Sequence, residues 1–112
     1  MAKFMYLFRS NPMSYRSMSP EQMQQVMKMW TDWKDGLEKG GHIKQLGERL
    51  DGSGRVVRAT GVTDGPYVEV KDSINGYMMV EAADIDQATE LAKDCPLLKG
   101  DGTVEIRPFA SM

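Results

Sequence analysis

Apolar residues recur along the first third of the chain with a strand period and then with a helical period. Residues 3–8 form a short aromatic and aliphatic run bounded by polar, turn-forming residues, which predicts a first strand. Ser19 supplies a helix cap, Pro20 suits the first helical position, and Gln22 completes a capping box. The predicted helix covers residues 20–39 and ends at two glycines. Its apolar stripe consists of Met23, Val26, Met27, Trp30 and Leu37, and at this spacing Met23, Met27 and Trp30 are expected to lie chiefly in the core.

The central part of the chain predicts a hairpin followed by an inner strand. Residues 43–50 are expected to form the second strand, with a turn at residues 51–54 and a further strand at residues 55–59 behind it. Residues 77–82 are dense in apolar side chains, which favours a strand in the interior of the sheet.

The last third of the chain predicts a second helix and a closing strand. Asp84 and Gln87 carry a second capping signal, and residues 85–94 place apolar side chains on one helical face before Pro96 ends the helix. Residues 103–108 alternate between the two faces of an extended segment, as expected of a strand that closes the sheet.

This order of elements, β-α-β-β-α-β with an added short strand, predicts an α+β fold of the ferredoxin-like type. The length fits one domain that spans residues 1–112. Two helices cover one face of an antiparallel sheet, so either Tyr6 and Phe8 or Met5 and Leu7 point to the uncovered face. Since either pair is apolar, we expect a homodimer whose two sheets close into a dimeric α+β barrel.

Composition restricts the classes of partner and the compartment. The net charge of −2 provides no basic field for nucleic acid, and no apolar run is long enough for a membrane span or a secretory leader. We therefore expect no nucleic-acid partner, no membrane partner and a cytoplasmic location. Cys95 is the single cysteine, and its position before Pro96 at a predicted helix end favours a buried, inert thiol.

The candidate chemistry centres on the tetrapeptide Asp64-Gly65-Pro66-Tyr67. Pro66 restricts φ, Gly65 permits conformations closed to other residues, and Asp64 can accept hydrogen bonds from nearby amides, so the segment is expected to be a shaped loop. Asp64 is then either a turn former or a catalytic carboxylate that serves as general base or ligand anchor. Tyr67 is a candidate for lining a pocket that takes a small aromatic compound.

Four further residues are candidates for ligand binding. Arg58 can bind a carboxylate or phosphate through two parallel hydrogen bonds, or form a structural ion pair. Glu69 and Lys71 share one face of an extended segment, where they present a charge pair to a ligand or form a solvated edge. His42, the only histidine, is either an acid/base group or an exposed loop residue. One histidine and one cysteine do not make a metal site, and no phosphate-binding loop is present, so we predict no metal and no cofactor.

Many short motifs occur in a recognisable order along the chain. They are Lys3-Phe-Met-Tyr-Leu-Phe-Arg9, Ser19-Pro-Glu21, Gly47-Glu48-Arg-Leu50, Asp64-Gly-Pro-Tyr-Val-Glu69-Val-Lys71, Gly76-Tyr77, Val80-Glu-Ala82, Ala92-Lys93, Cys95-Pro96 and Val104-Glu105-Ile-Arg107-Pro108. With these motifs the chain resembles, nearly end to end, the YCII-related family, in the branch named for an Asp-Gly-Pro-Phe motif. The resemblance implies a dimeric α+β barrel, and most members of the branch are bacterial proteins of unassigned activity.

The chain departs from the wider family at one position. There, a histidine on the first helix pairs with an aspartate to form an acid/base pair. Here, the only histidine, His42, follows Gly40-Gly41, and the first helix offers Gln24, Gln25 and Lys28 instead. The resemblance therefore does not carry this pair over. Members of the branch are often encoded beside sigma factors of the extracytoplasmic type, which implies an association with such a factor.

These observations predict a homodimer that binds a small organic molecule near the Asp64 tetrapeptide, with weak acid/base catalysis as an additional possibility. The residues form no complete catalytic set, so the sequence leaves enzymatic activity open. The alternative is a non-catalytic accessory or regulatory module of a sigma-factor system, in which the tetrapeptide has a structural role.

Overall fold

Six strands, two α-helices and one short 3-10 helix make up the computed structural model, which describes residues 1–11, 17–65 and 72–110. The strands are β1 (Ala2–Arg9), β2 (Ile43–Gln45), β3 (Gly54–Arg58), β4 (Gly61–Gly65), β5 (Ile74–Ala82) and β6 (Thr103–Pro108). The helices are α1 (Pro20–Lys39) and α2 (Ile85–Ala92), and the 3-10 helix is Pro96–Lys99.

Both α-helices begin at side-chain caps, as predicted. The Ser19 hydroxyl accepts a hydrogen bond from the backbone amide of Gln22 at 3.2 Å, and the side-chain oxygen Oε1 of Gln22 accepts one from the backbone amide of Ser19 at 2.9 Å. At the start of α2, the Asp84 carboxylate accepts a hydrogen bond from the backbone amide of Gln87 at 2.9 Å. These bonds satisfy amides that have no partner within the helix. Helix α1 has the predicted bounds, whereas α2 ends two residues before the predicted Asp94.

Strands β2, β5, β1 and β6 form one antiparallel sheet in that order. Tyr6 at the centre of β1 pairs with Met78 of β5 on one side and with Ile106 of β6 on the other. The two longest strands, β1 and β5, therefore occupy the middle of the sheet, as predicted for residues 77–82. The strand order and the two helices agree with an α+β fold of ferredoxin-like topology.

The core lies between the sheet and the two helices. Tyr6 is fully buried, its ring stacks on Trp33 of α1 with centroids 6.2 Å apart, and its hydroxyl donates to the Ala88 carbonyl of α2. One side chain of β1 thus contacts both helices, which places the two helices on the same face of the sheet. The side chains buried on this face include Phe4, Tyr6, Phe8, Trp33, Leu37, Met78, Val80, Ala82, Ala88 and Ala92.

The opposite face of the sheet displays the alternate residues of the same strands. Met5 pairs with Met79 and Leu7 pairs with Tyr77, so four large apolar side chains form the middle of this open face. Of the two alternatives left open by the sequence, Met5 and Leu7 are the residues that point away from the helices. Charged residues border the patch, and the shortest ion pair there joins Arg9 Nε to Glu105 Oε1 at 2.8 Å.

The predicted central hairpin is wrong in its pairing. Only Ile43–Gln45 of the expected strand 43–50 joins the sheet as a strand, and the turn predicted at residues 51–54 does not connect two paired strands. Gly47 adopts a positive φ of 70°, which bends the chain away from extended geometry. The Asp51 carboxylate accepts hydrogen bonds from the Gly52 amide and the Ser53 hydroxyl, which are local turn contacts.

The hairpin that does form joins β3 to β4, and we call residues 54–65 the arm. Arg55 pairs with Asp64 and Val57 with Val62 in a two-stranded sheet separate from the main one. Its turn lies at residues 59–60, between Arg58 and Gly61. Asp64 and Gly65 are therefore the end of a strand and not the loop that we predicted, because the strand partner takes up their backbone groups.

Candidate functional site

A cavity of about 250 Å³ lies between helix α1, the end of β1, the irregular segment 46–50 and the start of β5. This volume is close to the lower end of the range for small-molecule sites. Most of its walls are apolar and come from the first four turns of α1 and from the leucines of segment 46–50. The apolar lining residues are Phe8, Met23, Val26, Met27, Trp30, Leu46, Leu50 and Leu97.

The α1 wall combines an aromatic surface with a cation. Trp30 meets Phe8 edge to face, with ring centroids 5.1 Å apart, and this contact fixes the indole against the end of β1. Lys34 follows Trp30 by one helical turn, and its ammonium lies 5.6 Å from the centroid of the Trp30 ring. Lys34 is half-buried, and no ion pair joins it to another residue of the described ranges.

A polar corner of the cavity is formed by Asn75 and Ser10. The Asn75 side-chain NH₂ donates to the Ser10 carbonyl at 2.7 Å and to the Ser10 hydroxyl at 2.9 Å. Because a carbonyl can only accept, these bonds determine which end of the amide carries the nitrogen. The amide oxygen of Asn75 is buried and accepts no hydrogen bond from the residues that the structure describes. The corner is therefore held rigidly by the start of β5.

Charged residues of both signs line the cavity together with its apolar walls: Glu48, Arg49 and Lys34. Glu48 and Arg49 are exposed at the rim, whereas Lys34 is the more buried of the three. Partial burial removes part of the hydration shell of an ammonium, and an anion placed beside it in a partly apolar cavity replaces those lost interactions. The arrangement suits a small molecule with an apolar body and one anionic group.

His42 lies outside this cavity, at the junction of α1 and the sheet. Its Nδ1 donates to the Glu81 carbonyl at 2.8 Å, since the carbonyl can only accept. Its backbone amide bonds the Leu37 carbonyl at 2.9 Å, and its carbonyl accepts from the Glu81 amide at 2.7 Å. The three bonds tie the end of α1 to β5. They explain the half-buried position of His42 without a ligand.

Arg58 and Asp64 are both on the arm and both exposed. Arg58 donates to the Thr63 hydroxyl at 2.8 Å, across the two strands. Asp64 lies directly opposite Arg55 and is not among the residues that line the cavity. The other candidates, Tyr67, Glu69 and Lys71, fall outside the described residues, as does Pro66. The structure thus does not bring His42, Arg58 and Asp64 together at one point.

The first half of the α1 stripe lines the cavity, which the sequence pattern did not predict. The helical spacing of Met23, Met27 and Trp30 predicts chiefly core positions, yet Met27 is 63% exposed and all three line the cavity. Two signals were available in the sequence. The stripe is rich in methionine, whose flexible side chain suits adaptable binding surfaces, and Lys34 continues it at helical spacing from Trp30.

The buried Cys95 agrees with the prediction of an inert thiol. Its side chain is 2% exposed, and burial raises the pKa of the thiol to about 12, while the Lys34 ammonium opposes this rise only in part. Burial likewise raises the pKa of Tyr6 to about 12. Both groups are therefore uncharged near neutral pH, and neither provides a nucleophile.

Within residues 1–11, 17–65 and 72–110, no three histidine, cysteine or carboxylate side chains cluster as metal ligands do. Among the helices in the same ranges, none combines the length and apolar character that a membrane crossing requires.

The fold and the cavity define an α+β protein with ferredoxin-like topology, a cavity beneath its first helix and a sheet face that no helix of the described ranges covers. The profile of the YCII-related domain matches residues 2–112, so the chain belongs to the YCII-related family. A stretch of 50 residues is 35% identical to an uncharacterised protein of Rhizobium meliloti (strain 1021). This match covers 44% of the chain and 40% of the relative, so the chain spans about two fifths of that protein.

Proposed function

We propose that this protein binds a small organic anion with an apolar body in the cavity beneath α1. The observation that carries the proposal is the half-buried Lys34 ammonium, which lies over Trp30 at the wall of an otherwise apolar cavity. An anionic group beside Lys34 would gain a charge-assisted interaction, and the apolar body would pack on Trp30 and Met27. The proposed ligand site is therefore the cavity beneath α1, which Asp64 does not line, instead of the Asp64 tetrapeptide.

The cavity is proposed to bind a ligand and to have no catalytic role. Within the described ranges the cavity has one carboxylate at its rim, Glu48, and neither a histidine nor a cysteine lines it. General acid/base catalysis needs a titrating group within hydrogen-bond reach of the reacting atom. Asp64, on the arm, stays the predicted catalytic carboxylate for any weak activity. The accessory role in a sigma-factor system also stays a prediction.

The protein is proposed to act as a cytoplasmic homodimer, in the family branch named for the Asp-Gly-Pro-Phe motif. The support for the dimer is the open face, where Met5, Leu7, Tyr77 and Met79 form one apolar patch bordered by charges. A second copy presents the same patch, and a two-fold arrangement would cover both at once. Two sheets packed in this way would make the dimeric α+β barrel expected from the sequence.

The ligand proposal is tested with two probes that share a naphthalene body, the anionic 2-naphthoate and the uncharged 2-naphthylmethanol. We expect 2-naphthoate to raise the melting temperature of the wild-type protein in a concentration-dependent way, and more than the alcohol does. The variant Lys34→Met should weaken 2-naphthoate binding by about tenfold or more, because a hydrogen bond to a charged group contributes roughly 1.5–3 kcal/mol. Binding of the alcohol should change by less than about threefold.

The matched control is Lys39→Met, which removes the same charge from the exposed last turn of α1. This variant should respond to both probes as the wild type does. If neither probe stabilises the wild type, or if Lys34→Met retains the preference for 2-naphthoate, the proposed site is wrong. Isothermal titration calorimetry with each probe measures the dissociation constants directly.

A further inference from the structure

One face of the arm exposes two adjacent cross-strand pairs. Side chains directly opposite each other in a hairpin share a face, and every second residue of a strand returns to it. Arg55 with Asp64 and Val57 with Val62 therefore lie side by side on the same face. Val57 is 76% exposed and Val62 is 58% exposed, and both charged residues are exposed as well. We call these four residues the arm face.

The other side of the arm is arranged differently. There Val56 is half-buried, and Arg58 donates to the Thr63 hydroxyl at 2.8 Å. On the arm face, by contrast, no hydrogen bond or ion pair joins the side chain of Arg55 or Asp64 to another described residue. The asymmetry singles out the arm face as the surface that a further element would cover.

Within the described ranges, no third strand pairs with the two strands of the arm. An isolated hairpin is marginally stable in water, and a third strand or a packed layer is usually required. The arm forms a sheet of its own, apart from the four-stranded sheet. The molecule is correspondingly broad and thin, with extents of 46 × 43 × 18 Å. A packed layer on the arm face would supply the missing apolar contact for Val57 and Val62.

We propose that the arm face of one copy packs on the arm face of a second copy. The pattern of charges makes the face complementary to itself. A two-fold axis parallel to the strands places β3 of one copy over β4 of the other. Arg55 of each copy then meets Asp64 of the other, and Val57 of each meets Val62 of the other. The geometry gives Asp64, the acid of the tetrapeptide, a role in assembly.

The arm contact is small and rests on the homodimer proposed above. Two strands of five residues span about 17 Å by roughly 10 Å, from the rise of a strand residue and the spacing between strands. That footprint is well below the roughly 800 Å² per partner that a stable interface needs. The arm face therefore adds affinity and orientation to a dimer held chiefly by the open sheet faces.

Charge reversal in trans tests the contact. Arg55→Asp gives an arm face with two negative charges, and Asp64→Arg gives one with two positive charges. Each variant alone should dimerise about tenfold more weakly than the wild type, because two exposed charge pairs change from attractive to repulsive. An equimolar mixture of the two variants should form a heterodimer at least as tight as the wild-type dimer. Sedimentation equilibrium at low salt measures all of these dissociation constants.

The equimolar mixture distinguishes charge contacts between two copies from charge contacts within one arm. If the charges act only across the hairpin, the double variant Arg55→Asp/Asp64→Arg recovers wild-type dimerisation and the mixture of single variants does not, which overturns the proposal. A wild-type dimer with no response to either reversal overturns the arm contact alone, whereas a monomeric wild type overturns both the arm contact and the sheet dimer. Arg58→Asp is the matched control, since it makes the same charge change on the other side of β3 and should shift the dissociation constant by less than about twofold. Circular dichroism verifies that each variant is folded.

Discussion

At the scale of single residues, Gly47 determines how segment 46–50 passes the main sheet. Its φ is +70°, and a Cβ added there would overlap the carbonyl oxygen of Tyr77. The backbone at position 47 therefore lies so close to β5 that no side chain would fit there. At the next residue, the Glu48 carbonyl accepts a hydrogen bond from the Tyr77 backbone amide at 3.3 Å. This passage places Glu48 and Leu50 at the cavity. Gly47 therefore shapes the site without lining it.

We predict that Gly47→Ala destabilises the fold by about 3 kcal/mol or more, since it adds a backbone clash to an unfavourable φ. The matched control is Gly36→Ala in α1, where an added Cβ meets nothing within 4 Å. That change should stabilise the protein by roughly 0.5–1 kcal/mol, because alanine has the better helix propensity. Urea unfolding of the two variants should show shifts of opposite sign. Equal shifts would contradict the role given to Gly47.

At the scale of elements, local sequence signals predicted the helices correctly but did not predict how the central strands pair. The cap at Ser19 and Gln22 and the proline at the first position predicted α1 with its observed bounds. In the centre, the turn-forming residues 51–54 looked like a hairpin turn, whereas the observed turn is at residues 59–60. Strand pairing depends on which distant segment supplies partners, and that information is absent from a local pattern.

We predict that Ser19→Ala lowers the free energy of unfolding by about 1 kcal/mol, because it removes the side-chain oxygen that accepts from the Gln22 amide. Ser17→Ala is the matched control, since Ser17 is exposed and precedes the cap. The control should stay within about 0.5 kcal/mol of the wild type. Thermal unfolding of both variants measures the difference, and an unchanged Ser19→Ala would show that the box contributes little.

At the scale of the whole molecule, the helices in the described part of the chain cover one face of the sheet and leave the other face open. Alternation along β1 sends Tyr6 into the core beneath both helices and Leu7 to the open face. The same alternation in β5 sends Tyr77 to the side of Leu7. An apolar patch bordered by charges, as here by Arg9 and Glu105, is typical of a surface that meets another protein.

We predict that Leu7→Glu makes the protein monomeric at concentrations at which the wild type is dimeric. Each two-fold dimer would then bury two carboxylates against apolar side chains, which should raise the dissociation constant about a hundredfold or more. Leu98→Glu is the control, because Leu98 is an exposed leucine of the 3-10 helix, away from the open face. It should remain dimeric. Light scattering coupled to gel filtration distinguishes the two states, and a dimeric Leu7→Glu would contradict the sheet interface.

Of the site residues predicted from the sequence, those that the structure describes lie away from the cavity that it forms. Asp64, Arg58 and His42 were chosen for their chemical type, and the structure separates them between the arm and the junction of α1 with β5. Lys34 had no distinguishing chemistry in the sequence, because lysines on helices are usually solvated. Its environment comes from the fold, which sets it over Trp30 at the wall of a cavity.

The amino-acid sequence by itself determined the helices, the inner strands, the α+β class and the family, because caps, periodicity and ordered motifs are local properties of the chain. It also restricted the open face to Met5 with Leu7 or Tyr6 with Phe8, through strand alternation. Only the tertiary structure decided between those pairs, paired β3 with β4, and formed the cavity. These depend on which distant segments meet, and contacts between distant segments have no signature in a single stretch of sequence.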